Sequence, residues 1–558
     1  MAQHRFASLR GAEGEPAWYQ QAVFYEVLIR GFYDSNDDGV GDLRGLIEKL
    51  DYLEWLGVDC LWLLPFYESP LRDGGYDVAD FTKVHPDLGT LDDLAELLRE
   101  AHLRGMRVIA DLVLNHTSDQ HPWFVESRSS RDNPKADWYV WSDTDDGYRD
   151  APIIFVDTES SNWSWAPERE QYYWHRFFSH QPDLNYENPA VQEAMLEIVR
   201  YWLAFGVDGF RLDAVPYLFE AEGTRCENLP GTHAFLRRIR ALVDAEFPDA
   251  VLLAEANQPP AQVVEYFGQG DECHMCFHFP LMPRLFMAVK QESAQPIRDA
   301  IAETPPIPPR CQWGIFLRNH DELTLEMISE EDRVFLWAAF ASDPIARRNV
   351  GIGRRLAPLI ENDRRVAELL HALLLSLPGS PVLYYGDEIL MGDNVYLGDR
   401  DSVRTPMQWS PDRNGGFSRA DPQRLYLAPI TDPVYGYQVV NVESQMRNPS
   451  SFLRWLRELL LARRQEGVFG DGTFELRDVD NPAILAYLRF DEEHERVVAC
   501  VSNLSSKAQP CRLDLRGFEG FVPVELLGMT PFPEVPADGG YPLTLAPYGF
   551  LWFELSEA

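Results

Sequence analysis

The stretches RVIADLVLNH (Arg107–His116) and GFRLDAV (Gly209–Val215) decide the fold. Each is a short apolar run that turns polar at its C-terminal end, as expected of a strand buried on both faces whose last residues reach a rim. Period-two alternation puts Arg211 and Asp213 on the same side of the second strand. Working outward, six more runs read as strands of this kind: Ala22–Arg30, Cys60–Pro65, Val251–Ala256, Glu272–Phe279, Trp313–His320 and Pro381–Gly386. That makes eight, the number a closed parallel barrel requires.

Amphipathic helices stand between them. Leu43 to Leu56 carries leucines and Ile47 at helical spacing, and Gly57 supplies a stop. Thr90 caps Leu91–Leu103, and Asn188-Pro189 opens a helix that runs to Phe205 and stops at Gly206. The expected architecture is α/β, a (β/α)8 TIM barrel of residues 1–115 and 186–470, with an irregular excursion at about 387–450. An aromatic-rich insertion after strand three, 116–185, is too long for a loop and reads as an inserted domain. Short strands in 471–558 read as a C-terminal antiparallel β-sandwich.

With 558 residues, 45% of them hydrophobic and 25% charged, the chain has the profile of a globular protein with more than one core. Its formal charge of 50 − 88 = −38 disfavours nucleic acid or an anionic membrane as partner, leaves neutral sugars open and favours bound cations. No stretch approaches the roughly 18 apolar residues of a membrane span. Met1 to Pro16 lacks a secretory pattern, so the chain reads as cytoplasmic. Seven cysteines, an odd number, argue against a complete disulfide framework. Cys273-x-x-Cys276 has no second Cys/His pair nearby and reads as two buried thiols.

In such a barrel the active site lies at the C-terminal ends of the strands. That rule selects Asp111, Asn115 and His116 on strand three, Arg211 and Asp213 on strand four, Glu255 on strand five, and His320 and Asp321 on strand seven. Retaining cleavage of a glycosidic bond needs one carboxylate to attack and one protonated carboxyl to aid departure. Arg211 beside Asp213 is expected to keep it ionised, while the apolar surroundings of Glu255 favour its protonated form. Any one of these residues alone reads as a cap or salt-bridge partner; their joint occurrence on four strands points to catalysis.

DLVLNH (Asp111–His116), GFRLDAV (Gly209–Val215), LLAEAN (Leu252–Asn257) and FLRNHD (Phe316–Asp321) resemble the four motifs of the α-amylase family, in its order and with its insertion after strand three. The resemblance implies Asp213 as nucleophile, Glu255 as general acid/base and Asp321 as transition-state stabiliser. It also implies sugar contacts from Asp77 in Gly75-Tyr-Asp, and from His116, Arg211 and His320. QPDLNY (Gln181–Tyr186) resembles the signature of the subgroup that acts on short α-glucosides, and brings Gln181 into the candidate site. CLWLLPFYESPLRDGGYDVADF (Cys60–Phe81), CHMCFHFPLMPRLFMA (Cys273–Ala288) and RTPMQW (Arg404–Trp409) resemble the members that isomerise maltose and α,α-trehalose. The activity so implied is an intramolecular transglucosylation with minor hydrolysis to glucose, in a pocket lined by aromatics such as Tyr76, Phe155 and Phe178. A homo-oligomer and a separate maltokinase are the implied partners. α-Glucosidases and sucrose-active hydrolases share the same carboxylates and are the alternative. A non-catalytic barrel of the transporter-heavy-chain kind would show degraded motifs and a membrane span, and this sequence has neither.

Asp34-x-Asn36-x-Asp38-Gly39-Val40-x-Asp42 places oxygen ligands at alternate positions around a glycine, the first nine positions of a calcium loop with Val40 offering its carbonyl. Gly45 stands where an EF-hand has its bidentate glutamate, so the expectation is a Ca2+ or Mg2+ loop outside the EF-hand class. The family resemblance implies a second, structural Ca2+ held by Asn115, Asp183, Glu220 and the backbone oxygens of Tyr217 and Leu218. No organic cofactor is expected.

Overall fold

The computed structural model describes residues 5–6, 16–491 and 496–557. Eight strands close into an all-parallel barrel: β1 (Phe24–Val27), β2 (Cys60–Leu63), β3 (Arg107–Val113), β4 (Gly209–Asp213), β5 (Val251–Ala254), β6 (Met275–Phe277), β7 (Gln312–Phe316) and β8 (Ser380–Tyr384), with β8 returning to β1. Every residue of these strands except Arg107 is buried, which is why they read as continuous apolar runs. Each is shorter than its apolar stretch at the C-terminal end. There the chain leaves the ladder, as at Leu317–His320, to present side chains to the rim.

Register positions the chemistry. Arg211 pairs across to Asp111 on β3 and to Leu253 on β5, so the guanidinium and the Asp111 carboxylate start at the same height inside the barrel. Leu43–Leu56, expected as one helix, is two, Leu43–Glu48 and Leu50–Leu56, separated at Lys49. The Lys49 ammonium lies 3.7 Å from the centre of the Tyr33 ring. Gly57 ends the second helix at φ 101°, a left-handed position that suits glycine. Thr90 and Asp93 cap Leu91–Leu103 reciprocally.

Between β3 and β4 the strands Trp141–Ser142, Trp163–Ala166 and Gln171–Trp174 form a small antiparallel sheet around Trp163, Trp174 and Cys226. Between β7 and β8 a hairpin, Arg347–Arg348 with Gly351–Ile352, rises from the barrel. Beyond the helix Phe452–Glu466, the strands Thr473–Leu476, Ile484–Asp491, Arg496–Asn503, Phe550–Ser556 and Val522–Glu525 form an antiparallel sheet. The pair Gln509–Asp514 and Gly540–Leu545 forms a second layer, joined to the first by a core that includes Ile484, Val501, Leu513 and Phe553. Arg5–Phe6, grouped with the barrel in the sequence division, pairs with Phe474–Glu475 at the edge of this C-terminal sheet. Among the described residues no helix is long and apolar enough to cross a membrane, and all seven cysteines are buried free thiols.

Candidate active site

Asp213, Glu255 and Asp321 line one cavity at the C-terminal mouth of the barrel, together with Tyr76, His116 and Phe155. It encloses about 860 Å³, its open mouth included. Beneath it Arg211 is shared by three carboxylates: Nη1 lies 2.9 Å from Asp111 Oδ1 and 2.5 Å from Asp213 Oδ1, and Nη2 lies 2.7 Å from Glu255 Oε1. Burial pushes both the Asp213 and the Glu255 carboxyl up to about 7 against the pull of Arg211. For Asp213, expected to be kept ionised by Arg211, burial is the larger effect, and the charge of Asp111 adds to it. Ala214, at φ 52°, is a non-glycine residue in the left-handed region directly after Asp213, and its N–H donates to Glu255 Oε2 at 3.1 Å.

Asp321 behaves oppositely. Burial would raise it, but His320, Arg400 at 3.0 Å and Arg404 at 2.9 Å outweigh burial and hold it well below the usual carboxylate range. The His320 ring stacks on Tyr76 at 5.3 Å, and its Nε2 lies 2.8 Å from the Tyr76 hydroxyl. Its backbone N–H and Nδ1 both face Glu26 Oε1. His116, kept neutral by burial, has an Nε2 with no partner in the protein. The pocket therefore offers two carboxyls poised near neutrality, one fixed anion and one free imidazole nitrogen, the set that glycosyl transfer by double displacement uses.

The catalytic domain of alpha amylase matches residues 26–339 and 353–472, and the C-terminal domain of maltogenic amylase matches residues 474–552. The chain belongs to the α-amylase family. The trehalose synthase/amylase TreS of Mycolicibacterium smegmatis is 62% identical, over 99% of this chain and 95% of its own. A trehalose synthase of Pimelobacter sp. is 61% identical over 97% and 96%. The crystal structure of the trehalulose synthase MutB from Pseudomonas mesoacidophila superposes with TM-score 0.78 at 28% identity, covering 98% of this chain and all of that one.

Not every residue carried over from the α-amylase family reaches the pocket. Asp77 is fully buried and spent on its own turn, accepting from Ser69 Oγ and from the N–H groups of Arg72 and Asp73. Asp73 lines the pocket instead. Gly74 at φ 59° and Gly75 at φ 111° reverse the chain between the two aspartates, and a Cβ on Gly75 would meet the Pro65 carbonyl at 2.8 Å. Gln181 also stands behind the wall, its amide donating to Asp73 Oδ2 at 2.9 Å. Phe178 backs Phe155 at 4.5 Å, and Arg211 and His320 hold lining groups without being among them.

The sequence reading missed Asp73, Arg400 and Glu26. Arg400 bonds both Asp73 and Asp321 and lies 4.9 Å over the Phe155 ring. It comes from the 387–450 excursion, which has no periodicity to single it out. Glu26 does leave a signal, as a carboxylate interrupting an otherwise apolar strand.

The donor set implied for a structural calcium passes a test of fit. Asn115 Oδ1, Asp183 Oδ2 and Glu220 Oε1 are all buried acceptors without a partner, and buried polar atoms are seldom left so. Burial pushes the Asp183 carboxyl up to about 8, against the opposing pull of Arg176. In the Asp34–Asp42 loop the side-chain oxygens already accept hydrogen bonds: Asp34 from Asn36, Asp37, Gly39 and Ser418, Asn36 from Asp38, Asp38 from Val40, and Asp42 from Ser35 and Gly45. Among the described residues no cluster of three or more His, Cys, Asp or Glu is arranged to hold a metal.

Proposed function

We propose that the enzyme interconverts maltose and α,α-trehalose by two displacements at one anomeric carbon. Asp213 attacks C1 of the non-reducing glucosyl unit while Glu255 gives its proton to the departing glycosidic oxygen. The glucose released turns within the pocket, and its anomeric hydroxyl attacks C1 and displaces the Asp213 oxygen while Glu255 takes the proton of that hydroxyl. Two inversions give net retention. Asp321 holds the sugar hydroxyls and stabilises the positive charge that develops at the ring. The observation that carries the reading is the sharing of Arg211 by Asp213 and Glu255 at the floor of one pocket. Two relatives named for trehalose synthesis, similar over nearly their whole length, support the same reaction.

Calcium completes the proposal. Asn115, Asp183 and Glu220, with the carbonyls of Tyr217 and Leu218, would hold it, and it would pin the barrel to the inserted domain beside His116. The Asp34–Asp42 loop is a second candidate, supported by the spacing of its oxygens alone.

Incubation of the purified protein with maltose alone, with the sugars resolved over time, tests the reaction. Trehalose as main product, and maltose formed from trehalose, is the expected result. Glucose as main product would make the enzyme an α-glucosidase instead.

A further inference from the structure

A carboxyl group on a strand otherwise made of Phe24, Tyr25 and Val27 needs a partner, because a buried charge without one is costly. Glu26 is fully buried on β1. Its Oε1 takes the His320 backbone N–H at 3.1 Å and is in hydrogen-bond contact with Nδ1 of the same residue, while Oε2 has no partner. The other ring nitrogen decides which member of this pair holds the hydrogen. His320 Nε2 stands between two oxygens, Asp321 Oδ2 at 3.3 Å and the Tyr76 hydroxyl at 2.8 Å. Asp321, the fixed anion of the pocket, has no proton to give. Tyr76 has one and donates it to Asp111 Oδ2 at 2.9 Å. Nε2 therefore carries its own hydrogen. Burial, with Arg404, Arg211 and Arg400 nearby, keeps the ring neutral against the pull of Asp321, so Nδ1 is bare and accepts. The hydrogen between Nδ1 and Glu26 then belongs to Glu26. Burial pushes that carboxyl well above the usual range, with Asp321 and Asp111 adding to it and the His320 N–H and Arg211 opposing.

We propose that Glu26 is a positioning residue of the glucosyl-transfer site: as a carboxylic acid it donates to His320 Nδ1 and so fixes the tautomer whose Nε2–H faces Asp321 and Tyr76. The inference rests on the reading of Asp321 as the anion that stabilises the charge developing on the sugar. Glu26 Oε1 has two tasks, to accept from the His320 N–H and to donate to Nδ1. The hydroxyl oxygen of a carboxylic acid does both with one atom. An amide does not, because its oxygen accepts and its nitrogen donates. The backbone donor cannot change, so a glutamine here sets its carbonyl oxygen against both nitrogens. That moves the ring hydrogen to Nδ1 and turns a bare Nε2 on Asp321. The repulsion falls on the anion that the transition state uses, so the loss appears in kcat rather than in KM.

The test compares the full chain with its Glu26→Gln variant. E26Q lowers kcat about tenfold on maltose and on an aryl α-glucoside while KM stays close to the parent's, the factor carried by a hydrogen bond to a charged group. An E26Q variant with the parent kcat overturns the proposal, since an amide oxygen replaces a carboxylate that merely accepts. Loss of rate alone does not separate a misplaced ring from a loosened barrel, so a second measurement reads the parent itself. With 15N-labelled histidine, and His320 assigned by its disappearance in His320→Gln, the parent spectrum shows a hydrogen on Nε2 and none on Nδ1, and E26Q carries it on Nδ1. A hydrogen on Nδ1 of the parent overturns the proposal whatever the kinetics. Glucose without trehalose from the parent enzyme would defeat the isomerase reading by itself and leave both readouts to decide the role of Glu26.

Discussion

Arg211 Nη2 lies 2.7 Å from Glu255 Oε1 while Nη1 of the same guanidinium grips Asp213. The proposed acid and the proposed nucleophile are therefore not independent: whatever proton one loses changes the hold of Arg211 on the other. A pair coupled this way titrates as a unit, with apparent values that belong to both.

The coupling fixes the pH profile. Burial pushes both carboxyls up to about 7, with Arg211 opposing. Asp213 attacks only as the anion, so activity falls as pH drops and it gains a proton. Glu255 donates only as the acid, so activity falls again as pH rises and it loses its proton. The expected kcat/KM for maltose is a bell centred at about pH 7. Glu255→Gln, assayed on an aryl α-glucoside whose leaving group needs no proton, loses the alkaline limb. A flat profile between about pH 5 and about pH 9 would count against this assignment.

Arg211→Lys should be far from conservative. A lysine is a single point charge and cannot satisfy Asp111, Asp213 and Glu255 through a rigid fork. Leaving buried carboxylates unpaired costs about 3–5 kcal/mol. Thermal unfolding should show a lower midpoint, and the maltose rate should drop on the order of 10²-fold. A variant with parent stability and rate would mean that the shared guanidinium is not what holds the three together.

The barrel was legible because parallel strands buried on both faces write themselves as apolar runs, and because rim residues follow directly after them, as Asp213 and Glu255 do. The roof of the pocket was not. Arg400 lies in a segment with neither a period of 3.6 nor of 2, and its role depends on what packs across from it. Asp73 and Asp77 show the finest limit. Both flank the same Gly-Gly-Tyr, and only the two left-handed glycines decide which carboxylate faces sugar and which braces the turn.

That pair separates binding from stability. Asp73 lines the pocket and answers to Arg400 and Gln181. Asp73→Ala should raise KM for maltose about 10- to 100-fold, the worth of a hydrogen bond to a charged group, with a smaller fall in the unfolding midpoint than Asp77→Ala because Arg400 keeps Asp321 as a partner. Asp77→Ala strips three donors of their acceptor in a buried turn, so its first effect should be a lower midpoint in thermal unfolding. Kinetics and calorimetry on both variants check the assignment, and the opposite pattern would restore Asp77 to the sugar site.

The proposed calcium makes a prediction of a different kind, because an ion bound by the native state alone stabilises it by mass action. Asn115 Oδ1, Asp183 Oδ2 and Glu220 Oε1 are buried and unpartnered, so a cation removed from among them leaves three buried acceptors without a partner. Asp183 is also bonded through Oδ1 to the Arg176 N–H, and His116 pairs with it as an isolated bridge, so slack there reaches the sugar pocket. EDTA should lower the thermal midpoint, and added Ca2+ should restore it in proportion to the logarithm of its concentration. Asp183→Asn removes one of the two charges; its midpoint should no longer respond to Ca2+, while Asp38→Asn in the outer loop leaves that response in place. If D38N abolishes the response and D183N does not, the stabilising ion sits in the Asp34–Asp42 loop and the buried oxygens need another partner.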